Sequence, residues 1–249
     1  MPISIESVTK FVNDNITAFH DNRIESLNGL NLKEILKRKN PYLFKAKNLT
    51  TAQDMVKNLL DSYLSSKEET IFGEFLEKLA IFCCTQTYGG YKSGIEGIDL
   101  EFEKDNIRYI VSIKSGPNWG NSSQIQKMKD NFKKAQRVLR TTNSNIHIVA
   151  VNGCCYGKDN KPDKGDYFKY CGQEFWTFIT GEDDFYIKIV EPLGYNAKIK
   201  NDYFYDKYSK MLNKLTKDFI AEYCDADGGI HWDKIVKFNS GKNILNKNK

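Results

Sequence analysis

The residues best able to do chemistry lie between positions 97 and 132. Asp99 stands in the segment GIDLEFE. Fifteen positions later a lone lysine, Lys114, ends the apolar run IRYIVSI, and one hydroxyl, Ser112, comes two residues before it. Side chains alternate faces along a strand, so Ser112 and Lys114 point the same way. A turn at KDN, 104 to 106, brings Asp99 alongside the end of the second strand. A carboxylate and an ammonium at one sheet edge suit metal-dependent phosphodiester hydrolysis. The carboxylate holds a hard cation such as Mg2+, usually with a second carboxylate, waters and phosphate oxygens. The ion polarises the phosphoryl group and lowers the pKa of a water. The ammonium orients the nucleophile and offsets developing charge. The plain alternative is a cross-strand salt bridge.

A neutral hydroxyl is a weak partner for Mg2+, so Ser112 leaves the second ligand to be found elsewhere. Glu77 and Glu74 on the preceding helical segment are the candidates, followed by Glu69; Glu96 and Glu101 are nearer in sequence. Glu77 borders an apolar face formed by Phe72, Leu76 and Leu79 and can point along the sheet edge. Glu101 shares a strand face with Asp99 and is held in reserve. After Lys114 comes SGPNWGNSSQ, which offers Asn118, Trp119, Asn121, Ser122, Ser123 and Gln124. Amide side chains bond to base edges, and hydroxyls and cations bond to phosphates. An ordinary turn would have a similar composition.

The elements that must carry these groups can be read from periodicity. Residues 4 to 65 are expected to be helical, with Ile5, Val8, Val12, Ile16 and Phe19 spaced by three or four. A short helix in NLKEILKRK should end near Asn40-Pro41, because the residue before proline avoids the α region. A helix from a Thr cap at TTAQ should stop near Ser65. Another should start at Ser66-x-x-Glu69, a capping-box pattern, burying Phe72, Phe75, Leu76, Leu79 and Cys83 until Gly89-Gly90 breaks it. Strands at 97 to 103 and 107 to 113 form a hairpin, the first half-exposed because apolar and acidic residues alternate. A helix at 121 to 140 carries an apolar stripe of Ile125, Met128, Phe132, Ala135 and Leu139. NIHIVAVNGCC reads as a central strand, DYFKYCG as a short strand and QEFWTFITG as a short helix. Helices are expected again in DDFYIKIVEPLG, from about 196 to 224, and in HWDKIVKF, with NKNK as a loose tail. The fold class is therefore α/β, as one domain over 1–249. Residues 1–65 form its helical N-terminal segment, residues 66–180 a core built on a mixed sheet, and residues 181–245 a helical C-terminal segment.

Composition narrows the field. A chain of 249 residues, 40% hydrophobic and 13% aromatic, suits a globular core and not disorder. It has no apolar run of membrane-spanning length and no signal-peptide pattern at its start, so a cytoplasmic protein without membrane contact is expected. The six cysteines include two adjacent pairs inside apolar runs, and the three histidines lie far apart. That pattern suits reduced, partly buried thiols better than a zinc site or a disulfide framework. Net charge is only +5, from 37 Lys and Arg against 32 Asp and Glu. Yet residues 121 to 140, with Lys127, Lys129, Lys133, Lys134, Arg137 and Arg140 against Asp130, carry a net +5 by themselves. Such a stripe would meet a polyanion, with a solvated helix face as the alternative.

GIDLEFEKDNIRYIVSIKSGPNWGNSSQ resembles the PD-(D/E)xK nuclease core in the variant with serine at the middle acidic position. The ordered blocks KNPYLFKAKNLTTAQDMV, LSSKEETIFGEFLEKLAI, the core, YCGQEFWTFITG and GGIHWDKIVKF are similar to type II restriction endonucleases of the PmeII-like group, over roughly residues 35 to 240. The resemblance implies a restriction-endonuclease-like mixed sheet flanked by helices, with helical additions at both ends. It implies Mg2+-dependent double-strand cleavage of DNA at a short palindromic site, which in related enzymes is often GG-rich and interrupted. A homodimer and a cognate DNA methyltransferase acting on the same site follow from it. Asp99 takes the place of the metal-binding aspartate and Lys114 that of the catalytic lysine. Ser112 stands where most of the superfamily has Asp or Glu, and Glu77 is assigned as the second metal ligand. Lys127 and Lys134 join the loop residues as expected DNA contacts. The aromatic segment NDYFYDKYSKML is a candidate for dimer contacts or for packing inside the protomer. Two other functions compete: a non-catalytic DNA-binding protein of the same fold, and a structure-specific repair nuclease.

Overall fold

The computed structural model describes residues 3–142, 145–194 and 197–242. It divides into two compact units, one drawn from Met1–Phe19 and Thr70–Ala197, the other from His20–Glu69 and Lys198–Lys249. The expected NKNK tail lies outside the described residues.

The first unit is built on a five-stranded sheet: β1 (Tyr91–Lys92), β2 (Leu100–Lys104), β3 (Ile107–Lys114), β4 (His147–Cys154) and β5 (Phe168–Cys171), in that spatial order. β1–β2 and β2–β3 are antiparallel, and β3–β4 and β4–β5 are parallel. The hairpin forms, but β2 begins at Leu100 and not at residue 97, so Asp99 precedes the strand, and Lys104 belongs to β2 and not to the turn. Asp105 and Asn106 both have positive φ, 52° and 62°, which the twist-matched two-residue hairpin turn requires and which Asn and Asp tolerate. Helix α5 (Ser122–Thr142) crosses from β3 to β4 and lays Met128, Phe132 and Ala135 on Ile98, Ile110, Ile148 and Ala150. The other face of the sheet, with Leu100, Phe102, Val111, Ile113 and Val151, packs on Val8, Val12 and Ile16 of α1 (Ile5–Glu25), on Phe75, Leu76, Leu79 and Cys83 of α4 (Ala52–Tyr88), and on α6 (Gln173–Thr180). The result is the mixed sheet flanked by helices expected for the fold class. The short helices α7 (Phe185–Lys188) and α8 (Val190–Leu193) close this unit.

The second unit is helical. It contains α2 (Leu32–Arg38), α3 (Pro41–Ala46), α9 (Ala197–Tyr223) and α10 (Trp232–Ser240), around a core that includes Ile35, Phe44, Leu60, Phe204, Phe219 and Ile235. α2 stops at Arg38, and Pro41 then begins a new helix capped by the Asn40 side chain, because proline is suited to a helix's first turn. Phe204 is buried and Tyr208 donates to Asp61, whereas Tyr203 and Tyr205 are exposed. The aromatic segment thus turns Phe204 and Tyr208, one helical turn apart, inward and leaves Tyr203 and Tyr205 outside.

Three expectations need correction. The helix end near Ser65 and restart at Ser66 do not occur, since α4 runs unbroken for 37 residues. The Ser66 hydroxyl donates to the Ser62 carbonyl at 3.1 Å, one turn back, and so bonds within the helix instead of capping a new one. Ile5 is exposed, although Val8, Val12 and Ile16 of the same stripe are buried. β2 is not half-exposed: Glu101 is only 3% accessible.

Candidate active site

Asp99 lies just before β2, and the hairpin register sets it opposite the end of β3. Its N–H donates to the Val111 carbonyl at 2.8 Å. Its Oδ2 accepts from the Ile113 N–H at 2.7 Å and from the Ser112 hydroxyl at 3.4 Å. Lys114 Nζ stands 3.8 Å from the same oxygen. Backbone pairing and side-chain bonds therefore hold one carboxylate beside one ammonium at the end of the sheet. Both side chains are partly exposed, at 23% for Asp99 and 31% for Lys114, so a ligand can reach them.

Glu77, in the last third of α4, reaches the same place. Burial pushes its carboxyl above the usual carboxylate range, and the negative charge of Asp99 pushes it further; Lys92 and Lys114 pull the other way. Its closest cation is Lys92 Nζ, at 3.5 Å from Oε1. A carboxyl whose ionised form is opposed by burial and by the charge of Asp99, beside a lysine, is part of a donor set that a divalent cation would relieve. Among the described residues no group of three or more His, Cys, Asp and Glu side chains could hold a metal ion. The site offers two carboxylates, a number that suits Mg2+, which keeps several waters and takes further oxygens from substrate phosphates.

The other acidic candidates are placed differently. Glu101 is committed to Arg108, 2.8 Å away, and accepts from the Ser93 hydroxyl. Glu96 pairs with Lys134 at 3.1 Å on the surface. Glu69 and Glu74 are exposed.

The loop after Lys114 is tied down more fully than its composition suggests. Lys169 donates to the Pro117 carbonyl at 2.9 Å, and the Tyr156 ring fills the space beside Gly116 where a Cβ would stand. Trp119 is turned inward, its Nε1–H donating to Asn152 Oδ1 at 3.1 Å and its ring 5.3 Å from Lys114 Nζ. Asn121 and Gln124 bond reciprocally. The Asn121 Oδ1 accepts from the Gln124 N–H at 3.1 Å, and Gln124 Oε1 accepts from the Asn121 N–H at 3.0 Å. This is a capping box at the start of α5, and Ser123 also donates into it at 2.7 Å. Asn118, Ser122 and Lys127 are exposed, as are Lys133, Arg137 and Arg140. Lys134 shares its charge with Glu96.

Asn152, Tyr156 and Lys169 were not picked out from the sequence. For Asn152 the signal was present: an amide inside the otherwise apolar strand NIHIVAVNGCC. A buried polar side chain is rare unless something bonds it.

The family model described as Type II restriction endonuclease EcoO109I matches residues 6–201. That span is well over half of the chain and takes in Glu77, Asp99, Ser112 and Lys114. A comparison with curated proteins gives no match.

Proposed function

The chain belongs to the EcoO109I family of type II restriction endonucleases, and from that premise we propose that it makes Mg2+-dependent double-strand cuts in DNA at a short palindromic site, with Asp99, Glu77 and Lys114 as its reacting centre. The observation that carries the reading is the meeting of Lys114 Nζ and Asp99 Oδ2 at 3.8 Å, with Glu77 close enough for its ionisation to be opposed by Asp99. The finer placement with the PmeII-like enzymes rests on the ordered sequence blocks.

Asp99 and Glu77 would hold the metal. When bound, Mg2+ polarises the scissile phosphoryl group and makes a water more acidic. The contacts to Asp99 from Ile113, Ser112 and Lys114 all fall on Oδ2, so Oδ1 is the oxygen proposed to face the cation. Ser112 is a donor to Asp99 and stands in for no carboxylate. Lys114 supplies positive charge without a metal ligand's geometry, orienting the attacking water and offsetting charge as the phosphate becomes pentacoordinate. Asn118, Ser122, Lys127 and the exposed cations of α5 are the proposed DNA contacts, chiefly to phosphates. Asn121, Ser123, Gln124 and Lys134 are exposed but also bonded within the protein, and would contact DNA with the hydrogen-bonding capacity those bonds leave over.

One such centre per chain cuts one strand, so a homodimer with two-fold symmetry would cut both strands of a palindrome. The chain is proposed to work as one nuclease domain in the cytoplasm, beside a methyltransferase that protects the same site. Among the described residues no helix is long and apolar enough to cross a membrane. The test is digestion of a sequenced plasmid by purified protein with Mg2+, followed by run-off sequencing of the ends. Discrete bands are expected, and Asp99→Ala and Lys114→Ala should abolish them while DNA binding persists. DNA that is shifted in a gel yet intact with Mg2+ or Mn2+ would indicate the non-catalytic module. Cuts confined to junctions or ends would indicate the structure-specific nuclease.

A further inference from the structure

Asn152 lies in the middle of the sheet, on β4, opposite Ser112 in the parallel register and 1% exposed. A buried amide is costly unless both its ends are bonded. Here its Nδ2 donates to the Ser112 carbonyl at 3.1 Å, while its Oδ1 accepts from Trp119 Nε1–H at 3.1 Å and has the Cys154 thiol 3.9 Å away. The amide thus links the strand that carries Lys114 to the indole that covers Lys114. The Trp119 ring stands 5.3 Å from the ammonium, within reach of a cation–π attraction. The Pro117 and Gly116 contacts fix the path of the loop backbone; the indole packs against the core that holds Ile110 and Met128, and the bond to Asn152 fixes its polar edge.

We infer that Asn152 is a positioning residue for the cleavage step: by anchoring the Trp119 indole it sets the aromatic roof that holds the Lys114 ammonium toward Asp99. A lysine has four rotatable side-chain bonds, and an unroofed Lys114 would spread over many rotamers in a partly exposed cleft. The roof also removes the Trp119 N–H from the set of groups that can reach a base. The inference rests on the nuclease reading of Asp99 and Lys114.

The test is steady-state cleavage of a duplex fragment that the wild type cuts, with kcat and KM determined separately. Asn152→Ala and Trp119→Phe each delete the same hydrogen bond while leaving an aromatic ring in place. Each should lower kcat about fivefold to tenfold, the span of roughly one such interaction, with KM for DNA within about twofold. The double variant should be no slower than the worse of the two, because the bond can be lost only once. Trp119→Leu, which removes the roof as well, should be slower still. Trp119→Phe changes a half-buried loop position, so it keeps the test open should Asn152→Ala fail to fold.

Additive losses in the double variant, a kcat that falls only with the folded fraction, or unchanged kinetics would overturn the inference. So would a raised KM at normal kcat for Trp119→Phe, the mark of a direct DNA contact. Lys114→Ala, run in parallel, separates the two levels. If it cuts at the wild-type rate, the reading of the centre itself fails. If it is inactive while the Asn152 and Trp119 variants are normal, only the positioning role falls.

Discussion

Replacing Glu77 by glutamine asks whether this side chain is there for stability or for metal. It sits half-buried on α4, with burial and the charge of Asp99 both opposing its ionised form. Its closest cation, Lys92, is 70% exposed at 3.5 Å, and a pair of that kind contributes about 0–1 kcal/mol. Glutamine keeps the shape, loses that pair, and removes the desolvation and repulsion. The two effects nearly offset, so metal-free Glu77→Gln should lie within about 1 kcal/mol of the wild type, on the stabilised side. For a chain of this size that is a melting shift of about 2–4 °C at most. Mg2+ should separate the proteins. At about 100 times its Kd a ligand adds roughly 2.7 kcal/mol to the wild type, and Glu77→Gln should gain only a small part of it. Cleavage should fall by on the order of 10² or more, since even outer partners of metal ligands are worth 10–100-fold. The assay is thermal melting in EDTA and in saturating Mg2+, followed by plasmid digestion. The reasoning fails if the metal-free variant melts well below the wild type, or if Mg2+ stabilises both proteins equally and cleavage is unchanged.

Arg108 and Glu101 form an ion pair whose side chains are 15% and 4% exposed, and Arg108 also bonds Glu103 and Tyr91. Arg108→Ala leaves Glu101 buried and uncompensated and should cost about 3–5 kcal/mol, read as a lower urea midpoint. His20 is buried, and burial, then Arg23 and Lys200, lower its pKa. Its folded value therefore lies below its unfolded one, so stability should start to fall as pH drops through about 6.5 and level off below the folded value. His20→Gln should flatten that step in a plot of melting temperature against pH. Burial pushes the Cys84 and Cys154 thiols up to about 12 and raises Cys83 and Cys155 further. At pH 8 a thiol reagent should modify the native protein slowly, starting with Cys224, the one cysteine of the six that is not buried. Unfolding in guanidinium should expose all six.

What could be read from the sequence was local. Alternation, the KDN segment and the β-branched run of 107 to 113 were enough to place Asp99 alongside the end of β3, although the turn itself is only Asp105 and Asn106 and Lys104 pairs within β2. The unbroken α4 was missed because Ser66-x-x-Glu69 has a cap's spacing, and only the bond to Ser62 shows that the helix had already begun. Asn121-x-x-Gln124 is the reverse case: the same spacing does form a cap there, where DNA contacts were expected. Glu101 was read as exposed because its partner lies on the next strand, and cross-strand neighbours cannot be read from alternation alone. Trp119 and Asn152 are 33 positions apart, and only the parallel pairing of β3 with β4 brings the loop and the amide together.

β3 is bonded on both sides, antiparallel to β2 over 107–111 and parallel to β4 over all eight of its residues. Strands enclosed in this way are the last to open in a folded protein, and their amides exchange with solvent most slowly. Lys114 ends this strand, three residues past its last pair with β2 and still paired with β4. In the proposed reaction, rearrangement would then fall chiefly to the substrate, the lysine's own side chain and the loop after it.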